Sequence, residues 1–400
     1  MANEGDVMAR ELVVCYGTKF VETDGVYYCN GSFGRFVDSL AKKYSRIILL
    51  VPVSRLGKNV NVNDYRIKSE NIIIQGLPQF ESYITALIKR FAIHSAIRKF
   101  SKQWKSPVYI RHPNPCTRYL YGIAKNKGLP VCLHLVGDTK SVLVQGTKYR
   151  SFVRKLTVLY VDNQDRHIQK IIRNTPTLVN GNGLRRLYDK NNTNIREIRT
   201  STFSEDEIIR HKPNIRQDSL ALLYVGYLRH EKGLYYLLDA MKMLKENMDN
   251  VKLTIVGDGN ILRDLKLRAH ELNISDCVKF EGHVPIGERL FSVYREHDIF
   301  ILPSISEGTP RVLLEAMCNG LAVIATNVGG IPFTLQHKYN GLLINSKSPS
   351  EIVKAVYELA VNTKLRSTLI QNGLEFARKN TIESHVQEVY DFIEDKCKMS

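Results

Sequence analysis

Ile299-Phe300-Ile301-Leu302-Pro303, Ser304-Ile305-Ser306-Glu307-Gly308-Thr309-Pro310-Arg311 and Val312-Leu313-Leu314-Glu315-Ala316-Met317 run consecutively in the stretch that decides the fold. A second apolar run, Ala322-Val323-Ile324-Ala325, follows and ends in Val328-Gly329-Gly330-Ile331-Pro332. The apolar runs read as strands buried on both faces, as in a parallel sheet. Pro310 suits the first turn of a helix, where a missing N–H costs nothing. Val312, Leu313 and Met317 can then face the sheet. Strand, loop, helix and strand make one βαβ unit, and its loop lies at the carboxyl end of a strand, where open sheets bind ligands.

Such a loop suits a nucleotide diphosphate. Amides at a helix N-terminus, with the positive end of its dipole, attract phosphate. Glu307 lies ahead of the helix and Glu315 inside it, so the two carboxylates can accept hydrogen bonds from two different diols, a sugar and a ribose. On spacing alone they read equally as a capping acid and a solvated helix residue.

The surrounding residues resemble the C-terminal signature of retaining GT-B glycosyltransferases of the GT4 type. The resemblance rests on Glu307-Gly308, Glu315-Ala316, Val328-Gly329-Gly330, Pro332 and Asn340-Gly341-Leu342-Leu343. It implies that Glu315 holds the ribose diol and Glu307 the hydroxyls of the transferred sugar, with Gly308 beside them. Pro310 stands where many relatives have glycine, so Thr309, Arg311 and Val312 would supply the N–H groups at the donor.

Four hundred residues suggest two domains with ample core. The seven cysteines are scattered, with no CxxC pair, so neither a disulfide framework nor a zinc site is indicated. A reducing cytoplasm fits best. No signal-peptide pattern opens the chain, and Ile47-Ile48-Leu49-Leu50-Val51 is too short to cross a bilayer. The net charge of +17 is uneven: 33 − 14 = +19 for residues 1–200 and 24 − 26 = −2 for residues 201–400. An anionic partner is implied for the first half, whether nucleic acid, a membrane surface or a phosphorylated acceptor.

In chain order, Leu12-Val13-Val14-Cys15-Tyr16, Ile47 to Val51, Val108-Tyr109-Ile110 and Val131-Cys132-Leu133 are strand candidates. Gly31 and Gly34, in Asn30-Gly31-Ser32-Phe33-Gly34-Arg35, open a helix and can let backbone approach a phosphate, although an ordinary tight turn gives the same spacing. Relatives have a glycine loop near the donor phosphates here. His134 follows the Val131 strand. A histidine among apolar residues is more often packed than catalytic, but relatives place a functional histidine at a comparable strand end, and Asp138 is a weaker acceptor contact. The polar run Ser204 to Ser219 reads as a linker.

The second half resembles the family closely. Leu222 to Val225 is a strand leading into Gly226-Tyr227-Leu228-Arg229-His230-Glu231-Lys232-Gly233, where relatives use an arginine and a lysine on the donor diphosphate. Lys232 matches; the arginine position is Tyr227, with Arg229 two residues on. A solvent-facing turn lysine is the bland alternative. Gly257, after Leu253 to Val256, and Val284, after Val278 to His283, would border the base and ribose pocket.

The resemblance therefore implies an α/β GT-B fold, two Rossmann-like domains facing each other across a cleft. The expected division is an acceptor-side domain over 1–205, a nucleotide-sugar domain over 206–380 and a final helix, 381–400, crossing back. The implied function is retaining sugar transfer from a nucleotide diphosphate donor to a glycan or lipid-linked acceptor in cell-surface polysaccharide synthesis. Glu307, His134 and Lys232 are the expected catalytic set. No cofactor and, without a D-x-D motif, no metal is expected. A GT-B UDP-sugar epimerase and an inactive, basic nucleic-acid or surface-binding relic are the alternatives; no nucleic-acid motif supports the latter. Residues 82–105 carry Ile84, Leu87, Ile88 and Phe91 at helical spacing. They also hold Lys89, Arg90, Arg98, Lys99, Lys102 and Lys105, with no acid. A helix of this kind can lie on an anionic membrane, or pack its apolar face on a sheet. The first places the protein peripherally on the inner face of the membrane.

Overall fold

The computed structural model describes residues 10–55, 65–80, 82–137, 151–188, 194–210, 219–248 and 250–397. Asp138 and half of the expected linker lie outside them. The chain forms two compact units, Met1–Arg199 with His385–Ser400, and Thr200–Ser384. The last helix, Ile382–Lys396, starts in the second unit and continues in the first. Among the described residues no helix is long and apolar enough to cross a membrane.

The first unit is built on β1 (Glu11–Cys15), β2 (Phe20–Thr23), β3 (Val26–Cys29), β4 (Arg46–Arg55), β5 (Tyr65–Arg66), β6 (Ile72–Pro78), β7 (Val108–His112), β8 (Val131–Leu135), β9 (Thr177–Asn180) and β10 (Ile195–Ile198). Its parallel core runs β10-β9-β8-β7-β1-β4, with β6 also on β4. The antiparallel pair β2–β3 intervenes between β1 and the helix Gly31–Ala41. That hairpin carries no strong turn signal beyond Asp24-Gly25 and is absent from the sequence reading.

Residues 82–105 form two helices, Tyr83–Ile88 and Arg90–Ser101, broken at Lys89. Ser82 caps the first through a box with Thr85. The buried face is Ala86, Ile93 and Ile97, with Trp104 beyond, and so differs from the stripe read in the sequence. Ile88 and Phe91 are each 74 % exposed. The break at Lys89 turns them away from the sheet, and the Arg90 guanidinium lies over the Phe91 ring at 4.6 Å.

The second unit is wholly parallel: β11 (Leu220–Val225), β12 (Val251–Val256), β13 (Val278–Gly282), β14 (Ile299–Leu302), β15 (Ala322–Thr326) and β16 (Leu342–Ile344), in the order β13-β12-β11-β14-β15-β16. β14 and β15 are buried throughout, with Ile299 facing Ala322 and Ile301 facing Ile324. Helices cover both faces, which is why these strands read as continuous apolar runs. Helix Leu234–Asn247 buries Leu234, Leu237, Leu238, Met241 and Leu244 at the spacing of one helical face. Helix Arg311–Cys318 buries Leu313, Leu314, Ala316 and Met317.

Candidate functional site

The chain leaves β11 towards β12 and β13 on one side and returns to β14, β15 and β16 on the other. The crevice beyond the carboxyl ends of β11 and β14 is therefore the switch point at which open parallel sheets take ligands. Two loops meet there, Gly226–Gly233 after β11 and Pro303–Pro310 after β14.

Glycines bring them together. Gly233 has a left-handed φ of 69°, and a Cβ on it would lie 2.0 Å from the Pro303 carbonyl oxygen. The Glu231 carbonyl accepts the Ile305 amide at 2.8 Å. Beyond β15, Gly329, at φ +54°, comes so near that a Cβ would stand 1.9 Å from the Glu307 carbonyl oxygen; one on Gly330 would stand 2.1 Å from that of Gly308. The Val328-Gly329-Gly330 turn is thus a backbone clamp on the Glu307 loop, which no residue with a side chain could form.

Inside this frame Lys232 Nζ lies 2.6 Å from Glu307 Oε1, which also accepts from Ser304 Oγ at 2.8 Å. Glu307 Oε2 takes neither bond. Side-chain exposure is 20 % for Lys232 and 7 % for Glu307, so the pair is largely withdrawn from water. Burial, then the carboxylates of Glu307 and Glu231, push the Tyr224 phenol well up, so it stays a protonated donor, bonded to the Tyr227 carbonyl. Pro310 is the N-cap of helix Arg311–Cys318 rather than its first residue, and its carbonyl accepts the Leu313 amide. The Arg311 and Val312 amides in the first turn have no partner within the helix and carry the positive end of its dipole. Gly308 and Thr309 join the carboxylate to this N-terminus. A half-buried cation, a carboxylate with a free oxygen and helix amides are what a phosphorylated sugar needs for recognition.

Several expected residues stand elsewhere or do other work. Glu315 is only 5 % exposed and accepts from Thr202 Oγ1 at 2.6 Å and Tyr294 OH at 3.1 Å. It is a structural anchor as well as a candidate ligand, not a carboxylate on an open face. Arg229 does not join Lys232: its guanidinium lies 3.8 Å from Glu231 and over the Tyr227 ring at 5.2 Å. A Cβ on Gly257 would meet the Gly226 carbonyl oxygen at 1.9 Å, so that glycine lets the turns after β11 and β12 abut. Val284 packs into the core at 5 % exposure.

In the first unit, Gly34 does not admit a phosphate. It lies within the helix, its amide bonds Asn30, and a Cβ there would meet the Tyr65 ring at 2.3 Å. Gly31 opens that helix behind the N-cap Asn30, whose side chain already serves the Ser32 amide. His134 lies inside β8 with no exposed surface, its Nδ1 facing the Tyr109 hydroxyl. Burial first, then Arg111 and His385, hold its imidazole well below the usual value, and a neutral core histidine replaces the expected catalyst. Sequence reading missed Ser304, Thr202 and Tyr294. Ser304 stood in the quoted loop; the other two carried no local signal.

Residues 205–376 match the family model described as glycosyl transferases group 1. An uncharacterised glycosyltransferase of Methanocaldococcus jannaschii is 28 % identical over 341 residues, covering 83 % of this chain and 87 % of its own length. A GDP-mannose-dependent phosphatidylinositol monomannoside mannosyltransferase of Mycobacterium tuberculosis is 35 % identical over 138 residues, 33 % of this chain and 36 % of that one. For several curated relatives the match spans less than half of their own length. Among solved structures, sucrose-phosphate synthase from Thermosynechococcus elongatus superposes with a TM-score of 0.73 over 96 % of this chain and 98 % of that one, at 17 % identity. The chain thus has the GT-B fold of two Rossmann-like units, and its second unit belongs to the glycosyl transferases group 1 family.

Proposed function

We propose that the second unit binds a nucleotide diphosphate sugar at the Lys232–Glu307 loops and that the chain transfers the sugar with retention, without a metal, to a glycan or lipid-linked acceptor. The observation that carries this reading is the meeting of Lys232, Glu307 and the N-terminus of Arg311–Cys318 at the switch point of the sheet. The bond from the anomeric carbon to the diphosphate oxygen breaks, and charge collects on the diphosphate. Lys232 and the amides of Arg311 and Val312 stabilise that charge. The acceptor hydroxyl attacks from the same face and passes its proton to the departing oxygen, so no sugar–enzyme bond forms. Glu307 holds sugar hydroxyls through Oε2. Each Glu315 oxygen has a lone pair beyond the bond it already accepts, and these serve the ribose.

The work fits cell-surface polysaccharide or glycolipid synthesis on the cytoplasmic face of a membrane; the mycobacterial relative is named for a phosphatidylinositol monomannoside acceptor. The exposed Ile88 and Phe91 beside six basic residues favour peripheral docking there through residues 82–105. The experiment is a panel of UDP-, GDP- and ADP-sugars incubated with the chain. One donor should be consumed well above the others, and this should be depressed by Glu307→Gln. Consumption of none, with glycan and lipid-linked acceptors supplied, contradicts the reading.

A further inference from the structure

Helices Tyr83–Ile88, Arg90–Ser101, Thr117–Asn126 and Ser151–Arg173 of the first unit border a cavity of about 530 Å³. Arg90, Arg98 and Arg118 line it, and no carboxylate does. Among the described residues none of the three arginines forms an ion pair with an acid. Between them His94 stacks on Tyr119, the rings 3.7 Å apart and 9° from parallel. Burial, then Arg90 and Arg98, hold its imidazole below the usual value, so the arginines' field reaches into the cavity.

Three guanidiniums without acids around a volume of small-molecule size call for an anion with several acceptor oxygens. The guanidinium fork matches phosphate geometry. Leu87 also lines the cavity, and its neighbours Ile88 and Phe91 stand exposed. A free phosphate would satisfy the arginines and leave these apolar side chains in water; a phospholipid satisfies both. We propose that this cavity is a headgroup site for an anionic phospholipid. Arg90, Arg98 and Arg118 hold the phosphate, and Leu87, Ile88 and Phe91 enter the acyl region. The occupant rests on the membrane reading above; the cavity does not.

Dihexanoylphosphatidylglycerol, below its critical micelle concentration, is added to the full chain while the His94 ring protons are followed by NMR, assigned with His94→Gln. The lipid is expected to shift them, and inorganic phosphate to do so at concentrations roughly tenfold higher. The double variant Arg98→Ala/Arg118→Ala should bind the lipid roughly tenfold more weakly, as expected on losing charge-assisted bonds, with Tm unchanged. In flotation with phosphatidylglycerol in phosphatidylcholine vesicles, the wild type should rise with the lipid and the double variant roughly tenfold less. No His94 shift overturns the site, whatever the vesicles do. Equal affinity for inorganic phosphate overturns the lipid as occupant. Undiminished flotation of the double variant overturns the site's part in docking. If the short-chain lipid binds at His94 but the wild type ignores anionic vesicles at low salt, the site stands and the membrane reading fails.

Discussion

Glu315→Ala is expected to lower the melting temperature of the chain's second unit by roughly 10 °C, an effect of about 3 kcal/mol for a unit of this size. The carboxylate accepts from Thr202 and Tyr294 inside the unit, and alanine strands both hydroxyls. A buried polar group left without a partner costs about 1–3 kcal/mol. Burial, then Glu315 itself, push the Tyr294 phenol well up, so that hydroxyl stays a donor in need of an acceptor. Glu315→Gln keeps one carbonyl oxygen and the side-chain shape and should cost about 1 kcal/mol. Differential scanning calorimetry separates the two. An alanine variant that melts like the wild type would show that Glu315 does not hold helix Arg311–Cys318 to Thr202 and Tyr294. The sequence reading gives Glu315 a ribose-holding role alone; its bonds to Thr202 and Tyr294 add a structural one.

The larger effect on activity should come from Lys232. Lys232→Ala removes the side-chain cation that lies 2.6 Å from Glu307 Oε1, and transfer should fall by about a hundredfold or more, the scale seen when a donor to developing charge is deleted. Affinity for the free nucleoside diphosphate should fall with it. Glu307→Gln should also depress transfer, yet leave affinity for the sugar-free nucleotide within about threefold, because its proposed partner is the absent sugar. Glutamine is the informative change. Alanine at 307 would leave Lys232 unpaired in a site that is largely shielded from water, and an uncompensated charge there is costly. Calorimetric titration of the diphosphate against both variants decides the matter; equal loss of affinity would contradict the division of roles.

What the sequence made legible was the part whose physics is local. Both strands of the βαβ unit, the loop between them and its helix follow from apolar runs and one proline, and they fold as read apart from the cap at Pro310. Val328-Gly329-Gly330 was visible as a motif, but its reason, the approach to the carbonyls of Glu307 and Gly308, exists only once β15 lies beside β14. The failures share that cause. The anchoring of Glu315 was not legible, because Thr202 is 113 residues away in the chain. Gly34 looked like a phosphate glycine because Tyr65, which fills its space, comes from a strand the sequence did not announce. His134 sat one position past the strand as read, yet the strand continues through Leu135 and carries it into the core. In residues 82–105 the helical period was real, but the break at Lys89 reassigned which apolar side chains meet the sheet.

The most direct test of the account is the anomeric configuration of the product. The donor found productive in the panel is incubated with its acceptor, and the anomeric proton of the transferred sugar is followed by NMR from the first turnovers. The account predicts the donor's own configuration in the new glycoside, with the signal lost in Lys232→Ala. A product of inverted configuration would contradict it.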